Sequence, residues 1–168
     1  MKVSLVGFMG TGKSTVGSLL AEELNLPFLE TDTLIEKELG QSIDQIFNQK
    51  GEVFFRKQET EILKKIIINK KDFVLSTGGG IVIKPENRNL LKANTSVILL
   101  KASPETIYNR VKNNTERPLL NIDNPLMKIK KLLKKRENYY NQFTPQIDTD
   151  NKSPKQIVHQ IKLIIGVD

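Results

Sequence analysis

The chain has 168 residues, 38% of them hydrophobic, and a formal net charge of +7, which is enough for one domain with a buried core. No apolar run approaches the roughly 20 residues that a membrane span needs. The chain enters a predicted strand almost at once, so we expect neither a membrane segment nor a targeting peptide. It contains no cysteine, which excludes disulfides and thiolate metal sites and fits a cytoplasmic enzyme.

The first predicted strand, 2–6, runs into Gly7-Phe8-Met9-Gly10-Thr11-Gly12-Lys13-Ser14-Thr15. This segment fits the phosphate-binding loop pattern G-x-x-x-x-G-K-[ST] at every fixed position. Glycines let backbone N–H groups approach an anion, Lys13 supplies a charge for the β- and γ-phosphates, and Ser14 supplies a hydroxyl for Mg²⁺. A helix predicted over 13–25 points the positive end of its dipole at the phosphates. A glycine-rich turn without a ligand would have to match both the spacing and this strand–loop–helix frame by chance.

The next two predicted strands also end in residues that carry chemistry. Strand 27–31 ends in Glu30-Thr31-Asp32, and strand 73–77 is followed by Gly78-Gly79-Gly80. Helices are predicted between them over 32–39, 42–48 and 52–70. Ligands of open parallel sheets bind outside the carboxyl ends of the strands. We therefore expect the phosphate loop, the carboxylate pair and the triple glycine to meet in space.

Each of these residues also has a purely structural explanation. Asp32 would serve as the N-cap of the following helix, but its place beside the phosphates favours a role in orienting or deprotonating an acceptor hydroxyl. Glu30 would reach a magnesium ion through water. The three glycines would form a flexible turn, but three exceed what a turn needs, which favours close approach of a ligand to the backbone.

The rest of the chain continues the alternation of strands and helices that is typical of a mainly parallel sheet. Strands are predicted over 96–102 and 146–149, and helices over 85–93, 104–113, 125–142 and 154–165. Ser42 with Gln45, Ser103-Pro104 and Ser153-Pro154 carry helix-start signals. The segment 114–125 has two prolines and several turn formers, so we expect a mobile loop there.

The basic side chains are concentrated in the predicted helix 125–142, where apolar residues recur at helical spacing. Most of its lysines therefore form a solvated face, and no array of aromatic and basic residues argues for nucleic-acid binding. Arginine suits bidentate recognition of carboxylate and phosphate, which draws attention to Arg56 and Arg117. Arg56 follows aromatic residues that its stem would also cover, and Arg117 would equally be a solvated loop charge. Composition alone does not single out Arg136, and His159, the only histidine, is interpreted as an ordinary helix residue.

Several motifs together resemble the shikimate kinase family over nearly the whole chain. The segments that carry the resemblance are GFMGTGKSTVG at 7–17, FLETD at 28–32, IEKELGQSIDQIF at 35–47, GEVFFRKQE at 51–59, STGGG at 76–80, ERPLL at 116–120, KKRENYY at 134–140 and DTDNKSP at 148–154. The resemblance implies a single three-layer α/β/α domain over 1–168, with a five-stranded parallel sheet in the order 2-3-1-4-5 and a lid at about 114–125. It also implies phosphorylation of the 3-hydroxyl of shikimate by MgATP, a step toward chorismate and the aromatic amino acids.

The resemblance further implies roles for individual residues. Asp32 would bind the shikimate hydroxyls and act as candidate base, Arg56 and Arg136 would clamp the carboxylate, and Arg117 would be the lid arginine. Backbone contacts to shikimate would come from Gly78, Gly79 and Gly80. The nucleotide would be held by Gly10, Thr11, Gly12, Lys13, Ser14 and Thr15, by Arg110 and Pro154 around the adenine, and by Lys152 and Arg117. The family pattern after the second strand is usually Asp-x-Asp, so Glu30 keeps the charge but leaves its magnesium geometry open.

Three alternatives remain open on the residues alone. The first is a related kinase with another acceptor, such as gluconate. The second is a nucleotide-dependent switch or binding module, which would bind ATP without phosphorylating a small molecule. The third is a basic nucleic-acid binder, whose affinity would fall steeply with salt. We expect a monomer, because no large exposed apolar stripe is evident.

Overall fold

The computed structural model describes residues 1–112 and 124–167, and the described residues form a parallel sheet of five strands. The strands are β1 (Lys2–Val6), β2 (Phe28–Glu30), β3 (Phe73–Ser76), β4 (Ser96–Lys101) and β5 (Gln146–Asp148). Their order is β2-β3-β1-β4-β5, and every neighbouring pair is parallel. The predicted sheet and strand order are therefore confirmed. The predicted loop 114–125 lies outside the described residues except at its last two positions.

Seven helices and a 3₁₀ turn are present in the described ranges. The helices are α1 (Lys13–Leu24), α2 (Thr31–Leu39), α3 (Ile43–Asn69), α4 (Pro85–Asn94), α5 (Pro104–Val111), α6 (Pro125–Tyr140) and α7 (Pro154–Ile165), and the 3₁₀ turn is Ile81–Ile83. The predicted start signals are confirmed: Ser42 and Ser153 form capping boxes, and Ser103 accepts a hydrogen bond from the Thr106 N–H. The 3₁₀ turn was not predicted, because a segment this short has no periodicity. None of the described helices is long and apolar enough to cross a membrane.

Helix α3 contains a break at Gly51. Gly51 has φ 77° and ψ 171°, which are not helical values, so the element consists of two helical arms that meet at this residue. The two helices predicted over 42–48 and 52–70 correspond to these arms. This backbone conformation is essentially restricted to glycine, which explains why the direction of the helix changes here.

Side chains on the two faces of the sheet pack into two separate apolar clusters. Along β4, Val97 and Leu99 point into one cluster, and Ile98 and Leu100 point into the other, as the period of two in a strand requires. The first cluster takes residues from α2, α3, α4, α5 and α6, and the second takes residues from α1 and α7. The result is the predicted three-layer α/β/α arrangement, which leaves the carboxyl ends of the strands open for a site.

Candidate active site

The loop between β1 and α1 is folded around the carbonyl oxygen of Phe8. This oxygen accepts hydrogen bonds from Thr11 Oγ1 at 2.8 Å and from Lys13 Nζ at 2.9 Å. Gly10 and Gly12 have φ values of 74° and 92°, and a Cβ atom at Gly10 would lie 2.8 Å from Val111 Cγ1. Glycine is therefore required at position 10 by both conformation and space. The loop holds the Lys13 ammonium group at the start of α1, where the helix dipole also favours an anion.

Ser14 and Glu30 bring two oxygen atoms together beside this loop. The Ser14 hydroxyl donates a hydrogen bond to Glu30 Oε1, although the two residues lie on different elements. Glu30 occupies the N-cap position of α2, but its side chain makes no capping hydrogen bond. The carboxylate reaches the phosphate loop instead. No group of three or more acidic or histidine side chains that could hold a metal occurs within residues 1–112 and 124–167.

Asp32 is the second residue of α2, so it is not the N-cap that its sequence position also allowed. The Thr31 hydroxyl accepts a hydrogen bond from the Gly78 N–H at 2.7 Å, and it lies 3.4 Å from Asp32 Oδ1, to which it donates. Although water reaches Asp32 in the open cleft, the surrounding protein partly desolvates its carboxyl group and raises its pKa. The positive charge of Lys13 is the largest influence in the opposite direction. Asp32 is thus a carboxylate whose proton affinity is increased.

Each glycine of the triplet makes room for a different part of the site. A Cβ atom at Gly78 would lie 2.6 Å from Asp32 Oδ1 and 2.7 Å from Glu59 Oε1, and one at Gly80 would overlap the Arg56 guanidinium. The Gly79 carbonyl accepts hydrogen bonds from Tyr140 Oη at 2.5 Å and from Arg136 Nη1 at 3.4 Å. The triplet is therefore a closely surrounded floor of the cleft.

A buried glutamate that the sequence analysis did not single out lies beside Arg56. Glu59 is 0% exposed, and its Oε2 accepts a hydrogen bond from Arg56 Nη1 at 2.6 Å, while no described residue bonds its Oε1. Burial raises the pKa of Glu59 to about 7, and Arg56 opposes this shift. The sequence offered one signal for this pair, since residues three apart on a helix, such as Arg56 and Glu59, are neighbours and can form an ion pair. It was hidden because glutamate is ordinarily an exposed residue.

Both predicted clamp arginines reach the same cleft. Arg56 Nη2 also lies 3.1 Å from Glu52 Oε1, and its Cζ lies 5.2 Å from the centre of the Phe55 ring. Arg136 is only 8% exposed, and its Cζ lies 5.7 Å from the centre of the Phe8 ring. It therefore differs from the lysines of α6, which lie on the outer face as predicted; Lys130, Lys131, Lys134 and Lys135 are all exposed.

These side chains line one open cleft of about 590 Å³ at the carboxyl ends of β1, β2 and β3. The predicted site residues among its lining are Lys13, Ser14, Glu30, Asp32, Arg56, Gly78, Gly79, Gly80 and Arg136. Cationic groups of the phosphate loop and of the two arginines flank the carboxylates of Asp32 and Glu59. Such an arrangement can bind an anionic group at each end and hold a hydroxyl between them.

The residues predicted to surround an adenine lie on the other side of the phosphate loop. Arg110 Nη1 donates to the Gly10 carbonyl at 3.1 Å, and its Nη2 donates to the Thr149 carbonyl at 2.9 Å. Arg110 thus ties the phosphate loop to the segment after β5 that carries Lys152 and Pro154. Lys152 Nζ donates to the Asp148 carbonyl at 2.7 Å. The predicted lid arginine, Arg117, lies outside the described residues, and His159 is an exposed residue of α7, as interpreted.

Comparisons with known proteins agree over nearly the whole chain. A family model described as shikimate kinase matches residues 9–165. The shikimate kinase of Sulfurihydrogenibium sp. is 46% identical over 95% of this chain and 94% of its own, and that of Enterococcus faecalis is 44% identical over 95% of each. Among solved structures, a shikimate kinase from Acinetobacter baumannii in complex with shikimate has a TM-score of 0.92 and 38% identity, covering 98% of this chain and 92% of that one. The shikimate kinase of Aquifex aeolicus has a TM-score of 0.86 and 39% identity over 99% and 96% of the two chains.

Proposed function

The chain belongs to the shikimate kinase family, and from this membership we propose which of its residues perform the reaction. The enzyme is an ATP-dependent kinase of aromatic amino acid biosynthesis. It transfers the γ-phosphoryl group of ATP to the 3-hydroxyl of shikimate, which gives shikimate 3-phosphate and ADP. The observation that carries the assignment of roles is the single cleft in which Lys13, Asp32, Arg56 and Arg136 meet.

Asp32 is proposed to position the attacking hydroxyl and to take its proton. It lines the same cleft as the phosphate-loop lysine and the two arginines, so a hydroxyl that it binds there is close to the phosphate loop, as in-line attack requires. Its raised pKa supports this role, since a carboxylate with greater proton affinity is a stronger base.

Arg56 and Arg136 are proposed to bind the shikimate carboxylate. Planar guanidinium groups suit a carboxylate better than lysine does, and both groups are held by neighbours that fix their orientation. The backbone of Gly78, Gly79 and Gly80 forms the floor between them. A substrate that carries both a carboxylate and hydroxyl groups fits this lining.

The nucleotide is proposed to lie along the phosphate loop, with its phosphates on the backbone of Gly10, Thr11, Gly12, Lys13, Ser14 and Thr15. Arg110, Pro154 and Lys152 would then hold the adenine end, and their position on the far side of Gly10 supports this. Arg117 stays a prediction as the residue that neutralises charge on the transferring group.

Mg²⁺ is proposed as the partner of ATP, held by Ser14 and through water by Glu30. Both residues offer the hard oxygen atoms that this ion prefers, and they already lie in contact. The lack of a larger acidic cluster within the described ranges fits an ion that takes its other ligands from phosphates and water. When bound, it neutralises charge on the β- and γ-phosphates.

The reaction is tested by measuring ADP release from MgATP with and without shikimate, with gluconate as a matched hydroxylated acid. We expect release that depends on shikimate and little or none with gluconate. Release that depends on gluconate would indicate a different acceptor, and ATP binding without any release would indicate a switch or binding module. Binding of RNA that falls steeply with salt, in place of turnover, would indicate a nucleic-acid binder.

We also propose that the enzyme is a monomer in the cytoplasm. Large apolar side chains that are exposed in the described structure are scattered over several elements, such as Val53 on α3 and Met127 on α6. Exposed apolar residues scattered over the surface are ordinary for a monomer, which supports the proposal.

A further inference from the structure

Arg88 is a buried cation that takes no part in the site described above. It lies on α4 and is only 9% exposed. Its partners are two backbone carbonyls and a side-chain amide, and no carboxylate of the described residues lies within ion-pair distance of it. Burying a charge without an ionic partner costs free energy, so stability alone is a poor explanation for an arginine here.

The partners of Arg88 belong to two elements that form the acceptor site. Its Nη1 donates to the carbonyls of Val82 at 2.7 Å and Ile83 at 3.1 Å, in the 3₁₀ turn that directly follows the glycine floor. Its Nε donates to Gln142 Oε1 at 3.0 Å, and its Cζ lies 4.8 Å from the centre of the Tyr139 ring. Gln142 follows the end of α6, and Tyr139 lies in its last turn.

The same two elements meet again on the substrate side. Arg136 and Tyr140 of α6 both donate to the Gly79 carbonyl. Arg136, Tyr139 and Tyr140 are three and four residues apart, so they lie in one stretch of the helix surface. The end of α6 is thus joined to the segment 79–83 at two places, once through Gly79 and once through Arg88.

We propose that Arg88 is a positioning residue for the acceptor substrate. Arg88 holds the end of α6 against the glycine floor, so that Arg136 faces the substrate carboxylate. The planar guanidinium is suited to this because it donates to Val82, Ile83 and Gln142 in fixed directions while stacking on Tyr139. Arg88 touches neither substrate nor phosphate. The inference rests on the proposed role of Arg136 as a carboxylate clamp.

The first test compares Arg88→Met and Arg88→Lys with Leu91→Ala in steady-state kinetics. Leu91 is buried on the same helix and takes no part in the hydrogen bonds described, so it controls for loss of stability. We expect Arg88→Met to raise KM for shikimate about tenfold while KM for ATP changes less than about twofold. Arg88→Lys keeps the charge but not the planar fork, so it restores only part of the loss. Leu91→Ala lowers Tm and leaves both KM values near those of the wild type.

Three results of this first test overturn the proposal. The first is an unchanged KM for shikimate in Arg88→Met, and the second is an equal rise in KM for both substrates in that variant. The third is the same selective rise in Leu91→Ala, which would make the effect a general loss of stability. If Arg88→Met does not fold, Gln142→Leu replaces it, since this change removes the acceptor of the Arg88 Nε–H and, besides it, only the hydrogen bond from Gln142 Nε2 to the Asn138 carbonyl.

A double-mutant cycle with Arg136→Ala separates the inference from the role on which it rests. If Arg88 acts through Arg136, the double variant has nearly the same KM for shikimate as Arg136→Ala alone. If the rise in KM of the double variant is instead the product of the rises in the two single variants, Arg88 does not act through Arg136. If Arg136→Ala leaves KM for shikimate unchanged, the clamp itself is overturned. If Arg136→Ala raises KM for shikimate and Arg88→Met does not, only the positioning role is overturned.

Discussion

At the scale of single residues, the site depends on carboxylates whose surroundings alter their affinity for protons. Asp32 and Glu59 both have raised pKa values because the surrounding protein desolvates their carboxyl groups, partly for Asp32 and more completely for Glu59. They differ in access, since Asp32 meets water in the cleft and Glu59 is fully buried beside Arg56. This difference suits Asp32 to proton transfer with a substrate and Glu59 to holding the arginine in place.

Replacing Asp32 with Asn tests the proposed base. The amide keeps the shape but cannot accept the proton, so we expect turnover to fall by about 10²- to 10⁴-fold. ATP binding, measured by calorimetry, should change little because Asp32 lies on the acceptor side. Asp44→Asn is a suitable control, since Asp44 lines the same cleft without a proposed role. Near-normal turnover in Asp32→Asn would remove Asp32 from the base role.

Glu59 is expected to make stability depend on pH. Its pKa is about 7 in the folded protein and 4.5 in a free side chain, so between these values the folded state binds more protons than the unfolded state. Glu59 therefore makes its full contribution to the free energy of unfolding below about pH 4.5. This contribution is lost as the pH rises through 7. Urea denaturation of the wild type and Glu59→Gln at pH 5 and pH 8 measures this. The decline with pH should be smaller in the variant, and an equal decline would assign it to other groups.

At the scale of elements, the strand ends and the phosphate loop were predictable because they rest on local patterns. The loop motif, the capping boxes and the alternation of strands and helices each lie within a few neighbouring residues. Glu59, Tyr140 and Arg88 were not predicted, because their roles arise from contacts with residues far away in the chain. Arg136 was indicated only by the family resemblance, because nothing in the run of lysines around it distinguishes a buried residue from an exposed one.

The floor glycines give a prediction for the element that they form. A methyl group at position 80 would overlap the Arg56 guanidinium, so Gly80→Ala must displace that side chain. We expect KM for shikimate to rise about tenfold or more and KM for ATP to stay within about twofold. Steady-state kinetics with each substrate varied in turn measures both. Unchanged shikimate kinetics would show that the position of Arg56 does not matter for the acceptor.

The break in α3 gives a second prediction at this scale. Gly51 and Gly40 both have positive φ values and open space where a Cβ atom would lie. Any cost of alanine at these positions therefore comes from the backbone alone. Gly51→Ala should lower the free energy of unfolding by about 1–3 kcal/mol, because its conformation is almost closed to other residues. Gly40→Ala, at a left-handed helix end, should cost about 1 kcal/mol. Chemical denaturation checks both, and equal stability of Gly51→Ala and the wild type would contradict the strain.

At the scale of the whole molecule, the strand order brings the site together. β3 and β1 are neighbours in the sheet although they are far apart in the chain, and this places the glycine floor beside the phosphate loop. The order was implied by the family resemblance and is confirmed, whereas composition and periodicity alone indicated only a parallel sheet. The net charge of +7 is consistent with an enzyme whose two substrates are both anions.

The proposed monomer is a prediction about the whole molecule. Light scattering coupled to size exclusion should give a mass near 19.1 kDa that does not change with protein concentration. A mass near twice this value, or one that rises with concentration, would show self-association. The scattered arrangement of the exposed apolar side chains is the physical reason for expecting a constant mass.

The tight surroundings of the glycine floor have a consequence for redesign of the acceptor pocket. Enlarging an enzyme pocket for a bulkier substrate usually means trimming side chains, but residues 78–80 have none to trim. A side chain added at Gly78 or Gly80 would meet Asp32, Glu59 or Arg56, and the Gly79 carbonyl is already bonded to Tyr140. The opposite wall, where Ile43 and Phe47 of α3 face the cleft, consists of ordinary side chains on a short arm that ends at Gly51. Variation in acceptor size should therefore be sought on that wall, and libraries that spare the floor should yield more folded, active variants than those that include it.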